Sequence, residues 1–189
     1  MTENILEKII KIKTEKIINL KKNIFLDSLN ELINKNKLFI NFKEIIVNNI
    51  KENKFSIIAE IKKASPSAGV IIKDYDPVEI ANIYNTNKTT CLSVLTEEDF
   101  FLGNLTDISK IKQKVNLPIL CKDFFIDTFQ IPLAKSYGAD AILIILAGVN
   151  DKLADDLYNE ALKSNMSVIV EVHTVEEAKR ALRFKDALI

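Results

Sequence analysis

No stretch of this sequence stays apolar for the roughly 18 residues that a membrane-spanning helix needs, so no transmembrane segment is expected. The opening MTENILEKIIKIKTEK has neither the apolar core nor the small-residue cleavage site of a secretory signal. A basic excess is missing as well. Lys plus Arg and Asp plus Glu each number 26, a balance that disfavours a nucleic-acid binder. Cysteine is scarce: Cys91 and Cys121 show no metal-ligand spacing and are expected to be reduced and buried, as in a cytoplasmic protein. With 4 Gly and 4 Pro there is no low-complexity linker. His173 is the single histidine and reads as a surface-loop residue, so no Ser/His/Asp set and no metal site is predicted. What is present is 189 residues, 48% hydrophobic, enough for one domain with a substantial core.

Residues 1–50 read as a helical extension without strand, with Ile5, Ile9, Ile10, Ile12 and Ile17 at roughly helical spacing. The lysines of residues 1–22 are expected on the wet side of an amphipathic helix. FLDSLNELI and NFKEIIVNNI predict two further short helices. From residue 56 the rhythm changes. SIIAEIK, TTCLSVLT, LPILCK, DAILIIL and SVIVEV predict strands, each followed by a helical pattern, and DALI begins a sixth apolar run. Helix starts are marked by Asp76 with Pro77 and Glu79, by Asn104, by Asp127 with Gln130, and by a Thr174/Glu177 capping box. Gly138 suits the end of a helix in which Pro132 should produce a kink. Alternating β and α elements predict an α/β fold with a parallel sheet, either an open doubly wound sheet or a (β/α)₈ barrel. The first strand–turn–helix lacks a glycine-rich nucleotide loop, which counts against the former.

The strand ends carry the functional signal. Side chains alternate along a strand, so Ile58, Glu60 and Lys62 share a face, as do Leu120, Lys122 and Phe124, and Ile169, Glu171 and His173. Each set is apolar first and ionisable last. Pointing into a barrel, Glu60, Lys62, Lys122 and Glu171 would meet on the rim where barrel enzymes do their chemistry. Ammonium and carboxylate groups together suit proton transfer, with a lysine as acid and a carboxylate as base. Phe100, Phe101, Phe124 and Phe125 fall in loops just past two strands and could wall a planar apolar substrate. Cys121 points opposite to Lys122 and reads as core.

Four segments together, IIAEIKKASPSAG, LSVLTEEDFFLGNLTDISKIK, LPILCKDFFIDTFQIPLAKSYGADAILII and VIVEVHTVEEAKRAL, resemble the indole-3-glycerol-phosphate synthase family of tryptophan biosynthesis. The resemblance runs from about residue 3 to Ile189. It implies a (β/α)₈ TIM barrel with an N-terminal helical extension: residues 1–50 as extension, residues 51–189 as part of the barrel, strands 1 to 6. It also implies a cytoplasmic carboxy-lyase, monomeric in its parent form and needing no cofactor or metal. That enzyme closes the indole ring of 1-(2-carboxyphenylamino)-1-deoxyribulose 5-phosphate, an anthranilate-derived phosphosugar, and releases carbon dioxide and water. By motif, Lys122 would be the general acid and Glu171 the general base. Lys62 would grip the substrate carboxylate and share the acid role, while Glu60 would orient the lysines. Phe101, Phe124 and Leu143 would pack on the aromatic ring, and Ser65 would lie on the phosphate side. The N-terminal helices could act as a lid.

The family's sixth-strand Asn, its seventh-strand Glu-Ser-Gly and its last two phosphate-gripping loops match nothing up to Ile189. The chain by itself is therefore expected to have little or no activity and, through open sheet edges, to self-associate. Two alternatives stay open: another phosphosugar barrel of tryptophan or histidine biosynthesis, which would use Cys/Asp or Asp/Asp pairs, and a non-catalytic, self-associating barrel fragment.

Overall fold

The computed structural model describes residues 4–35 and 39–189. Three helices come first: α1 (Ile5–Asn23), α2 (Leu26–Lys35) and α3 (Phe42–Lys51). Then come β1 (Ile58–Ile61) and a small antiparallel hairpin of β2 (Ala64–Ser65) and β3 (Gly69–Val70). The remainder alternates: α4 (Pro77–Thr86), β4 (Cys91–Leu95), α5 (Leu105–Lys112), β5 (Ile119–Lys122), α6 (Gln130–Ser136), β6 (Ala141–Ile145), α7 (Asp151–Lys163), β7 (Ser167–Glu171) and α8 (Val175–Ala181).

The helix starts follow from side-chain chemistry. Asp76 accepts from the N–H groups of Val78 and Glu79 ahead of Pro77, and Asn104 accepts from that of Thr106. Two expectations are corrected. Thr174 does accept from Glu177 N, but the Glu177 carboxylate takes the N–H of His173 rather than that of Thr174, so the capping box closes one residue early. Asp127 and Gln130 form a turn ahead of α6 instead of its first turn: Asp127 accepts from Phe129 N, and Gln130 Oε1 accepts from Ile126 N and Asp127 N. The helix starts at Gln130, which puts Pro132 in its first turn, where no intrahelical N–H bond exists to be lost.

β1, β4, β5, β6 and β7 pair in that order, all parallel. Leu188 extends the sheet beyond β7, donating to Val168 O and accepting from Val170 N. A doubly wound sheet reverses its strand order at a switch point. Here chain order and sheet order agree, which is the arrangement of a (β/α)₈ barrel wall. The two faces are distinct. Leu92, Val94, Ile119, Cys121, Ile142, Ile144, Val168 and Val170 pack beneath the helices, each at most 1% exposed. The alternate residues face the barrel interior. There α3 closes the N-terminal end: Phe42, fully buried, and Ile46 pack on Cys91, Leu120, Ala141 and Leu143.

α1 crosses the opposite, C-terminal end. Its Ile17 packs with Leu29 of α2 and with Phe129 and Leu133. One lysine departs from the expected wet face. Lys13 is 9% exposed and pairs with the buried Asp123 at 2.6 Å.

Candidate active site

The interior face meets solvent at the C-terminal ends of the strands, in a cavity of about 410 Å³. Glu60, Lys62, Phe101, Lys122, Phe124, Leu143 and Glu171 all line it, seven of the eight residues singled out from the sequence. The eighth, Ser65, is not among the lining residues. Its hydroxyl accepts from Ala68 N within the β2–β3 turn, while its neighbour Pro66 reaches the cavity. Of the four loop phenylalanines, Phe125 is core and Phe100 lies under the Lys8 ammonium. Phe101 and Phe124 form one wall, their ring centroids 6.1 Å apart.

Charge is arranged in pairs. Lys122 at the end of β5 reaches across β6, over Leu143, to Glu171 at the end of β7, with Nζ 2.7 Å from Oε2. Lys62 pairs with Glu60 on β1. The Lys62, Lys122 and Glu171 side chains are partly buried, and that of Glu60 is exposed. A proton carried on an ammonium and an open carboxylate lone pair thus sit at opposite ends of one short contact, the requirement for concerted acid–base work. The aromatic wall continues through Leu95 and Leu143 to Ile5, Leu6 and Ile9 of α1. The cavity therefore offers an apolar slot with an ionic floor, a shape for a planar ring carrying charged substituents. His173 is exposed as expected, yet its Nε2 lies 3.4 Å from Glu171 Oε1 at the cavity edge. Among the described residues no group of three His, Cys, Asp or Glu side chains is placed to hold a metal ion. Burial pushes the Cys121 thiol up to about 12, with Asp123 adding to it, and burial beside Asp140 does the same for Cys91, so neither is activated as a thiolate.

Two carboxylates that shape the site were missed in the sequence. Glu97, 1% exposed, accepts from the N–H groups of Asp99, Phe100 and Phe101 and so holds the loop that carries Phe101. That loop returns at Gly103, where a Cβ would stand 2.2 Å from Leu95 O. Asp123 accepts from Phe124 N at 2.8 Å and from the Thr96 hydroxyl at 2.7 Å, besides its pair with Lys13. The signal for both was a carboxylate within two residues of the end of a largely buried strand.

With this geometry in view, the comparisons with known proteins are specific. The family model described as indole-3-glycerol phosphate synthase matches residues 6–189. A tryptophan biosynthesis protein TrpCF of Buchnera aphidicola subsp. Schizaphis graminum is 43% identical over 190 residues, 100% of this chain and 40% of that protein. An indole-3-glycerol phosphate synthase of Zymomonas mobilis subsp. pomaceae is 40% identical over 98% of this chain and 70% of its own length. A synthase of the same description from Prochlorococcus marinus is 45% identical over 97% and 61%. The chain thus spans between 40% and 70% of the length of these relatives. The crystal structure of a 3-hexulose-6-phosphate synthase superposes with a TM-score of 0.52 at 17% identity, over 69% of this chain and 60% of that one, a likeness of fold alone. The chain belongs to the indole-3-glycerol phosphate synthase family.

Proposed function

We propose that this chain carries the acid–base half of an indole-3-glycerol-phosphate synthase, acting in the cytoplasm. The substrate is 1-(2-carboxyphenylamino)-1-deoxyribulose 5-phosphate and the products are indole-3-glycerol phosphate, carbon dioxide and water. The observation that carries this reading is the Lys122–Glu171 pair facing the Phe101–Phe124 wall across one cavity. Lys122 protonates the ketose oxygen as the ring carbon attacks the carbonyl carbon. Carbon dioxide then leaves that ring carbon. Glu171 then takes a proton from the methylene carbon beside the nitrogen as the hydroxyl group, protonated by Lys62, departs as water and the ring double bond forms. Lys62 grips the substrate carboxylate and backs the acid role, and Glu60 orients it through their ion pair. Phe101, Phe124 and Leu143 clamp the ring, and Ser65 stands toward the phosphate. In this reading residues 1–50 are an extension and residues 51–189 a barrel portion.

Phosphosugar isomerase chemistry with a Cys/Asp pair fits less well, because Cys91 lies at the closed end under α3 and Cys121 faces the helices. Among the described residues of the 189-residue chain β1 has no partner on its outer edge, and little or no turnover is expected from that chain alone. Joining the C-terminal part of the Zymomonas relative after Ile189 is expected to produce indole-3-glycerol phosphate formation, and Lys122→Met in that chimaera to abolish it. Turnover surviving Lys122→Met would remove Lys122 as the acid.

A further inference from the structure

Asp123 lies between Lys122 and Phe124 in the chain, and its carboxylate does not point at the cavity's ionic pairs. One oxygen is bound by Lys13 Nζ at 2.6 Å and by Phe124 N at 2.8 Å. The other is bound by the Thr96 hydroxyl at 2.7 Å. Thr96 N in turn donates to Lys122 O. Lys13 and Asp123 side chains are 11% and 8% exposed, so this is a buried pair whose charges and hydrogen bonds match. It ties α1, the end of β4 and the end of β5 at one point, and α1 itself contributes Ile5, Leu6 and Ile9 to the cavity. Exposed pairs extend the contact on the same helix: Lys16 with Glu98 and Asp99, and Lys21 with Asp127.

We propose that Asp123, latched by Lys13 and Thr96, is a positioning residue that sets Lys122 and Phe124 in the cavity and makes their placement depend on the docking of α1. This rests on the reading of Lys122 as the acid, but its test does not require turnover. Each carboxylate oxygen fixes a different neighbour, so releasing Asp123 frees the Phe124 amide and the β4–β5 strand ends together. A polar group buried without its partners is not tolerated in place, so the loss of Lys13 moves Asp123, and the backbone on both sides moves with it.

The chain supplies its own reporters. Cys121, 1% exposed, lies beneath α1 in the small cavity lined by Lys13 and Lys16, with its Sγ 3.3 Å from the Thr96 hydroxyl. Cys91 lies at the other end of the barrel under α3 and serves as control. Iodoacetamide labelling and acetic-anhydride footprinting of the folded 189-residue chain, read residue by residue by mass spectrometry, follow both thiols and Lys122. In Lys13→Met and in Asp123→Asn, Cys121 and Lys122 are expected to react roughly tenfold faster or more, the scale set by losing hydrogen bonds to a charged group. Cys91 and the exposed Lys152 are expected to be unchanged. Lys13→Arg, which keeps the charge beside a cavity of about 60 Å³, should restore both rates. Faster Cys121 with unchanged Lys122 would reduce α1 to a strap and overturn the positioning role. Unchanged rates at both would overturn the latch. Should Lys13→Met not fold, Thr96→Val removes one bond to Asp123 and is judged by the same two rates.

Discussion

A buried charge makes demands that its neighbours must meet, and Asp140 shows how. Its side chain is fully buried, and it accepts from Lys112 Nζ, from Ile119 N at 2.7 Å and from Ile40 N at 2.8 Å. Burial nonetheless lifts its carboxyl above the usual range, against the pull of Lys112 and the two amides. A carboxyl raised in the folded state favours folding when protonated, and that contribution is lost as pH rises through the unfolded and then the folded value. Lys112→Met removes the main opposing charge and is expected to cost about 3–5 kcal/mol near neutral pH. Urea unfolding at pH 7 and at about pH 4, near the free carboxyl value, should show a clearly smaller cost at the lower pH. Equal costs would mean that Lys112 does not compensate Asp140. At this scale the rim residues were legible and their supports were not. Glu60, Lys122 and Glu171 stand out because a strand's period of two separates a charged end from an apolar start. Glu97 and Asp123 sit in TEED and CKDF, where a carboxylate in a charged run reads as solvated. Only tertiary partners show otherwise: backbone amides folded back on Glu97, and a lysine from a distant helix on Asp123.

Among the elements, α3 has the most sharply defined task. It presents Phe42 and Ile46 to the N-terminal mouth of the barrel interior, while Asn41 caps it and Lys43 N donates to Ser167 Oγ at 3.1 Å. Phe42→Ala would leave a void between Cys91, Leu120, Ala141 and Leu143, at a cost of about 3–5 kcal/mol. Urea titration measures that cost. Iodoacetamide should then reach Cys91, at the opened end, before Cys121. The reverse order would place the weak point at α1. Strands and helices were legible wherever a cap or a pure apolar run marked them. α6 was harder to bound, because Asp127 and Gln130 satisfy a turn that only then leads into the helix. The task of α3 was not legible at all, since an amphipathic ten-residue helix says which face is apolar but not what that face will cover.

Across the whole molecule, among the described residues, the sheet is closed on neither side. Phe55 is 96% exposed, Ile57 57% and Ile189 60%, and β1 has no partner on its outer edge among the described residues. We expect the 189-residue chain to associate with itself through this edge. Sedimentation velocity over a concentration series is the measurement. Ile57→Lys should weaken association roughly tenfold or more if the edge buries that side chain. A monomer at all concentrations would show that the edge is protected. The barrel class was legible in the β-α rhythm only as one of two options. Strand order resolves it, and order is a tertiary fact that no local pattern encodes. The contacts of α1 have a consequence for how such a chain emerges from the ribosome. Lys21 finds Asp127 across 106 residues and Lys16 finds Glu98 across 82. At about 5–20 residues per second of synthesis, the first helix to appear waits roughly 5–20 seconds before Asp127 exists. In that interval its apolar stripe can meet Leu29 of α2 but not Phe129 or Leu133, and a nascent-chain chaperone or a neighbouring nascent chain can occupy the rest first.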